Sequence, residues 1–170
     1  MNKKDLKHIL SIMVDNEPGV LARVVGLFSG RGYNIESLSV SEVDSHKFLS
    51  RITVVTSGTK IIVDQIKAQL AKLIPVHNLV DITELKSFIG KELILIKLDV
   101  KNKKTFDLKK KLERLSAKIL EENDLEIIVQ FTGSPNEVKK MESILQSYKI
   151  IEQTRSGLVS MATGTDYIKK

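Results

Sequence analysis

The chain has 170 residues with no cysteine, no tryptophan, three prolines and only 5% aromatic residues. Without cysteine it can form neither disulfides nor thiolate metal sites, and a reducing cytoplasm is the expected location. Long apolar runs are also missing. Stretches such as Ile12-Met13-Val14 are far too short to span a bilayer, so no membrane association is expected. The opening Met1 to Lys7 is polar and charged with no apolar segment behind it, which is not the pattern of a secretory signal.

Catalytic signatures are scarce as well. There is no P-loop, no dinucleotide-binding glycine pattern and no Gly-Asp-Gly diphosphate-cofactor motif. Gly30-Arg31-Gly32 is too short and follows a helical rather than a strand pattern, so it reads as a helix stop. His8, His46 and His77 are scattered without ligand spacing, and no metal site is expected. Ser29, Ser37 and Ser39 have no neighbouring His or Cys to activate them. Glu121-Glu122 adjoins the turn Asn123-Asp124 and reads as solvated. No catalytic residue and no bound cofactor are expected in this chain.

What remains is an ordinary globular composition, 42% hydrophobic and 28% charged, with a formal charge of +6 from 27 basic and 21 acidic residues. The lysines gather around Lys97 to Lys111, where Phe106 is the only aromatic. A base-stacking surface needs more aromatics than that. The charge therefore fits a solvated face or an acidic protein partner better than nucleic acid.

Periodicity divides the chain into two similar halves. His8 to Val14 is an apolar strand, broken at Asp15-Asn16-Glu17-Pro18-Gly19. Pro18 suits a first helical position, and Val20, Leu21, Val24, Val25 and Phe28 then recur at helical spacing, with Gly32 as the residue that closes the helix. Strands are expected over Asn34 to Val40 and Phe48 to Val55, a helix on Ile62, Ile66, Leu70 and Leu73, and a strand over Val76 to Leu85. The second half repeats the order. A strand covers Glu92 to Val100, a helix carries Leu108, Leu112 and Leu115, and a hairpin turns at Asn123-Asp124. Ser134-Pro135-Asn136-Glu137 opens a further helix with a capping box. Tyr148 to Thr154 and Gly157 to Met161 supply the last strand, and Gly164 to Lys170 reads as a frayed tail. The expected fold is α+β, two ferredoxin-like βαββαβ domains over 1–85 and 92–170 with a linker at 86–91. Domains of about 80 residues are marginal alone, and a sheet with helices on one face leaves the other bare. A dimer or larger assembly would cover it.

The loop at Asp15 to Gly19 is the candidate site. It leads into a helix N-terminus, where unpaired N–H groups and the positive dipole end suit a carboxylate. Gly19 clears the approach, and Asn16 can serve a carboxylate through its NH₂ and an ammonium through its C=O. Val20, Leu21 and Ile35 offer an apolar wall, and Asn34 adds a second adaptable polar group.

The run Asn16 to Ser29, followed by Arg31-Gly32-Tyr33-Asn34-Ile35-Glu36-Ser37-Leu38, resembles the N-terminal signature of acetolactate (acetohydroxyacid) synthase small subunits, an ACT domain. Val129-Gln130-Phe131-Thr132-Gly133 and Glu152-x-x-Arg155-Ser156-Gly157 are similar to the C-terminal domain of that family. The resemblance spans nearly the whole chain and is weakest from Ser87 to Asn123. It implies a non-catalytic regulatory subunit of branched-chain amino acid biosynthesis. Such a subunit activates a large catalytic subunit and confers feedback inhibition by valine, leucine or isoleucine. It implies an effector held between two paired ACT domains, the helix start of one copy and the opening of the second strand of its neighbour sharing it. Asn16, Gly19 and Asn34 stand at the matching positions, with Val20, Leu21 and Ile35 beside them. Thiamine diphosphate, FAD and Mg²⁺ are implied on the catalytic subunit, a transferase, and not on this chain. An ACT-domain regulator of another enzyme or of transcription is the alternative.

Overall fold

A computed structural model of the chain describes residues 6–101 and 105–164. They fall into two units, one running to Ile89 and resuming at Leu158, the other Gly90–Gly157. The tail beyond Gly164, expected to be frayed, lies outside the described residues apart from Gly164 itself.

The first unit contains β1 (Leu6–Asp15), α1 (Val20–Ser29), β2 (Ser37–Asp44), β3 (Leu49–Gly58), α2 (Lys60–Leu70) and β4 (Val76–Asp81). The sheet is antiparallel in the order β2-β3-β1-β4. Alternation along β1 decides its two faces. Leu10, Ile12 and Val14 meet Val20, Val24 and Phe28 of α1 and Val63, Ile66 and Leu70 of α2. Each such side chain, once fully buried, contributes roughly 1.5–3 kcal/mol. Ile9 and Met13 turn to the opposite face, where they pack with Leu49, Val55, Ile82 and Leu158. That face was expected to be bare until a second copy covered it. It is covered in part from within the chain, by a 3₁₀ turn at Ile82–Glu84 and by the returning Leu158. The Asp81 side chain holds the turn by accepting the Thr83 N–H at 3.0 Å.

The second unit repeats the topology with β5 (Phe88–Asp99), α3 (Phe106–Arg114), β6 (Lys118–Glu122), β7 (Glu126–Gly133), α4 (Pro135–Leu145) and β8 (Lys149–Arg155), in the order β6-β7-β5-β8. Ile94, Ile96 and Leu98 of β5 and Ile127, Val129 and Phe131 of β7 bury against Leu108, Leu112, Val138, Met141 and Leu145 of the helices. The capping box forms as the sequence predicts. Ser134 Oγ accepts the Glu137 N–H, and the Glu137 carboxylate accepts the Ser134 N–H at 2.6 Å. In the lysine-rich helix, the Lys110 ammonium sits 4.3 Å from the Phe106 ring centre and Lys109 pairs with Glu122 at 2.7 Å. The expected fold, two ferredoxin-like units, is the observed one.

Several boundaries differ. The helix begins at Val20 rather than Pro18, because Pro18-Gly19 forms a turn before it. Of its predicted apolar face, Leu21 is exposed. The opening of the second strand shifts from Asn34 to Ser37, the fourth strand stops at Asp81, and the segment expected as a linker already enters β5 at Phe88. The last predicted strand is two. Lys149–Arg155 completes the second sheet, whereas β9 (Val159–Ala162) pairs with β5 and groups with the first unit, as do Ser87 to Ile89. Of the three residues between them, Leu158 is captured by an apolar cluster of the first unit.

Candidate functional site

β1 ends at Asp15, and the chain turns at Glu17–Val20. The Val20 N–H reaches the Glu17 carbonyl at 3.3 Å, and Gly19 takes φ 85° and ψ −10°. Pro at the second position and a left-handed Gly at the third define a type II turn, which explains why the helix cannot start at Pro18. The first helical bond runs from the Arg23 N–H to the Gly19 carbonyl at 3.0 Å. The N–H groups of Leu21 and Ala22 therefore precede any helical acceptor. No acidic side chain stands in the first turn and no side chain caps it. A Cβ placed on Gly19 would meet nothing within 4 Å, so the approach to these donors is open. Asn16 is exposed, and its side chain has no partner among the described residues. This is an open, positively polarised helix start with an exposed amide beside it, a combination suited to a small anion.

The apolar residues divide. Val20 is 3% exposed and belongs to the core, while Leu21 is 40% exposed and faces solvent. Ile35 packs half-buried against the first-unit core. Gly32, at φ 70°, closes α1 as predicted: the Tyr33 N–H bonds the Phe28 carbonyl at 2.9 Å and the Gly32 N–H bonds that of Ser29 at 3.1 Å. The segment leading into β2 is then pinned. The Asn34 carbonyl accepts Thr56 Oγ1 at 2.7 Å, and the Glu36 N–H donates to Val55 O at 2.8 Å.

Within one chain Asn34 does not approach Asn16. Asp15 at the end of β1 pairs with Leu49, whereas Ser37 at the start of β2 pairs with Val55. Those levels differ by six residues of β3, on the order of 20 Å along the strand. Asn16, Gly19, Val20 and Leu21 share one end of the sheet, and Asn34 and Ile35 occupy the other.

Three residues at the Asn16 end are not among the site residues expected from the sequence. The Asn16 N–H donates to the Phe48 carbonyl at 2.7 Å, and the Asp15 N–H donates to the Pro75 carbonyl at 3.0 Å. His77 Nε2 lies 2.5 Å from Asp15 Oδ1. The two carbonyl contacts are made by backbone atoms, which side-chain patterns do not announce. His8 is likewise paired, its Nδ1 lying 2.7 Å from the buried Asp81 carboxylate, while its Nε2 is buried without a partner. Among the described residues, no three His, Cys, Asp or Glu side chains gather as a metal site would need. No helix among them is long and apolar enough to cross a membrane. A groove of about 570 Å³ lies between α2 and β4, lined by Lys67, Ala71, His77, Leu79 and Glu84 among others. Burial would lower the Lys67 pKa, but hydrogen bonds and ion pairs to Glu84 and Asp64 outweigh it and raise it.

Residues 10–78 match the family described as AHAS small subunit-like ACT domain, and residues 91–164 match the family described as small subunit of acetolactate synthase. The chain belongs to the acetolactate synthase small-subunit family. It is 37% identical over 163 residues to the acetolactate synthase small subunit of Buchnera aphidicola subsp. Schizaphis graminum, covering 94% of this chain and 100% of that one. It is 34% identical over 160 residues to the small subunit of Escherichia coli acetolactate synthase isozyme 3, covering 94% and 97%. The crystal structure of the acetolactate synthase small subunit from Thermotoga maritima superposes with a TM-score of 0.86 at 29% identity, covering 95% and 99%. The first unit of the chain is thus an ACT domain, and its β1–α1 loop carries the candidate site.

Proposed function

We propose that this chain is the regulatory partner of an acetolactate synthase catalytic subunit in branched-chain amino acid biosynthesis, activating it and conferring feedback inhibition by valine, leucine or isoleucine. Family membership over both domains supports the regulatory role. The observation that supports a shared effector site is the separation of Asn16 and Gly19 from Asn34 along the sheet. A single chain cannot bring them to one amino acid. Two chains can, because β2 is an edge strand. Paired antiparallel about a two-fold axis, the β2 opening of one copy lies level with the Asn16 loop of the other. The effector carboxylate then meets the Leu21 and Ala22 N–H groups, Asn16 and the second copy's Asn34 serve its polar groups, and Leu21 and Ile35 flank its aliphatic chain.

Bridging two copies gives the effector a way to favour one arrangement of the pair over another. It shifts activity only by its differential affinity for the two, ordinarily about 1–3 kcal/mol of coupling. Thiamine diphosphate, FAD and Mg²⁺ belong to the catalytic subunit in this reading, and the chemistry is carried out there.

The test is a thermal-shift titration of the full chain against each proteinogenic amino acid, followed by assay of the reconstituted enzyme. At 100 times its dissociation constant a one-site ligand stabilises by about 2.7 kcal/mol. A shift confined to valine, leucine or isoleucine, lost in Asn16→Ala and matched by inhibition of the reconstituted enzyme, is expected. No shift and no inhibition with any of the three would sink the effector reading.

A further inference from the structure

Phe48 holds a backbone conformation that its residue type disfavours. Its φ is 51°, in the left-handed region, where a bulky side chain is a genuine outlier and Gly or Asn sits more easily. The fold uses its carbonyl, which accepts the Asn16 N–H at 2.7 Å and fixes the candidate loop. It does not use the ring, which is 67% exposed while the next residue, Leu49, is 6% exposed. A lone exposed apolar side chain needs no explanation. One that occupies a strained position where a smaller residue would serve the backbone better does.

We infer that Phe48 is a specificity-determining residue of the effector site, its ring closing over the aliphatic side chain of an amino acid held between two copies. This rests on the shared-site reading above. The hairpin tip Ser45 to Phe48 joins the end of β2 to the start of β3, between the Asn16 loop and the free β2 edge. A two-fold pairing centred between Val40 and Ser41 sets Ser37 of the second copy against Asp44. The residues just before it, Asn34 and Ile35 of the second copy, then run alongside this tip. An amino acid with its carboxylate on the α1 opening would have its side chain enclosed by Leu21, Phe48 and Ile35 of the second copy. Such a wall favours a branched chain over a shorter one, because only the branched chain fills it.

The test is calorimetric titration of the 170-residue chain with valine, 2-aminobutyrate and alanine, with oligomeric state checked by sedimentation. Phe48→Gly keeps the left-handed backbone available and removes the ring. It is expected to weaken valine about tenfold, the loss of roughly 55 Å² of apolar contact, while alanine changes little and the oligomer is unaltered. Phe48→Leu should restore most of the valine preference. Three outcomes overturn the inference while leaving the effector reading intact. They are valine binding unchanged in Phe48→Gly, equal weakening of all three ligands, or dissociation of the oligomer. A wild-type chain that binds no branched-chain amino acid, alone or with its catalytic subunit, removes the effector reading and this inference with it.

Discussion

Ser37 Oγ accepts the backbone N–H of Leu158 at 3.0 Å, joining two residues 121 apart in the sequence. Leu158 is 5% exposed and packs with Ile9, Met13, Leu49, Val55 and Ile82, so the returning chain is a structural part of the ACT unit. Leu158→Ala should therefore cost the first unit about 2–4 kcal/mol, from lost transfer energy and the cavity left behind. Ser37→Ala, which strips a part-buried N–H of its acceptor, should cost about 1–2 kcal/mol. The two share one contact and should not add. Urea denaturation with hydrogen exchange on β1 and β3 measures both. Unchanged exchange in Leu158→Ala would show that the returning segment is not part of this unit's stability.

How much of this was legible depended on the range of each signal. The capping box at Ser134 and Glu137 spans three residues, and the closure of α1 at Gly32 is equally local, so both could be read from sequence. The dipeptide Pro18-Gly19 suits either a helix start or a type II turn, and the positive φ of Gly19 selects the turn. Period alone could not decide between them. The destination of Leu158 left no local trace, because its neighbours Ile82 and Ile9 lie far away in sequence. The candidate residues Asn16, Gly19 and Asn34 were found by loop chemistry and family resemblance. Their placement at opposite ends of one sheet needed the strand register.

A second prediction concerns the C-terminal motif Glu152 to Gly157. Arg155 grips Glu92 with two nitrogens, Nη2 to Oε1 at 2.7 Å and Nε to Oε2 at 3.2 Å, and reaches Glu142 at 3.4 Å. The Glu92 side chain is only 7% exposed, so removing its partner strands a nearly buried carboxylate. Arg155→Met should destabilise the second unit by about 2–3 kcal/mol, below the usual cost of a fully buried pair because Arg155 itself is partly exposed. Adding Glu92→Gln should recover most of that loss. A double variant no more stable than the single one would show that packing, not the charge, sets the cost.

A third prediction follows from the cap of α4. The Glu137 carboxyl is held down to about 2 from 4.5, first by the Ser134 N–H and then by Lys91 at 2.9 Å. Because its folded pKa lies below its unfolded one, the carboxylate contributes stability that is fully present above the unfolded value. That contribution fades as pH falls toward about 2. The stability difference between wild type and Glu137→Gln should be constant near neutrality and shrink through this acid window. A difference independent of pH across the window would mean that hydrogen bonding rather than charge carries the cap.

The last prediction separates geometry from charge at Gly19. Its φ of 85° strains any residue with a Cβ, although a Cβ there would meet nothing within 4 Å. Gly19→Ala should therefore cost only about 1 kcal/mol of stability, the conformational penalty alone, and leave a weakened effector response. Gly19→Asp bears the same backbone penalty but also sets a carboxylate at the opening of α1. That charge satisfies the helix dipole in place of the ligand and repels the ligand's own carboxylate. In the reconstituted enzyme Gly19→Asp should abolish inhibition by branched-chain amino acids while activation is largely kept. Measured side by side, equal loss of inhibition in both variants would assign the effect to the backbone, and undiminished inhibition in Gly19→Asp would move the effector away from this helix start.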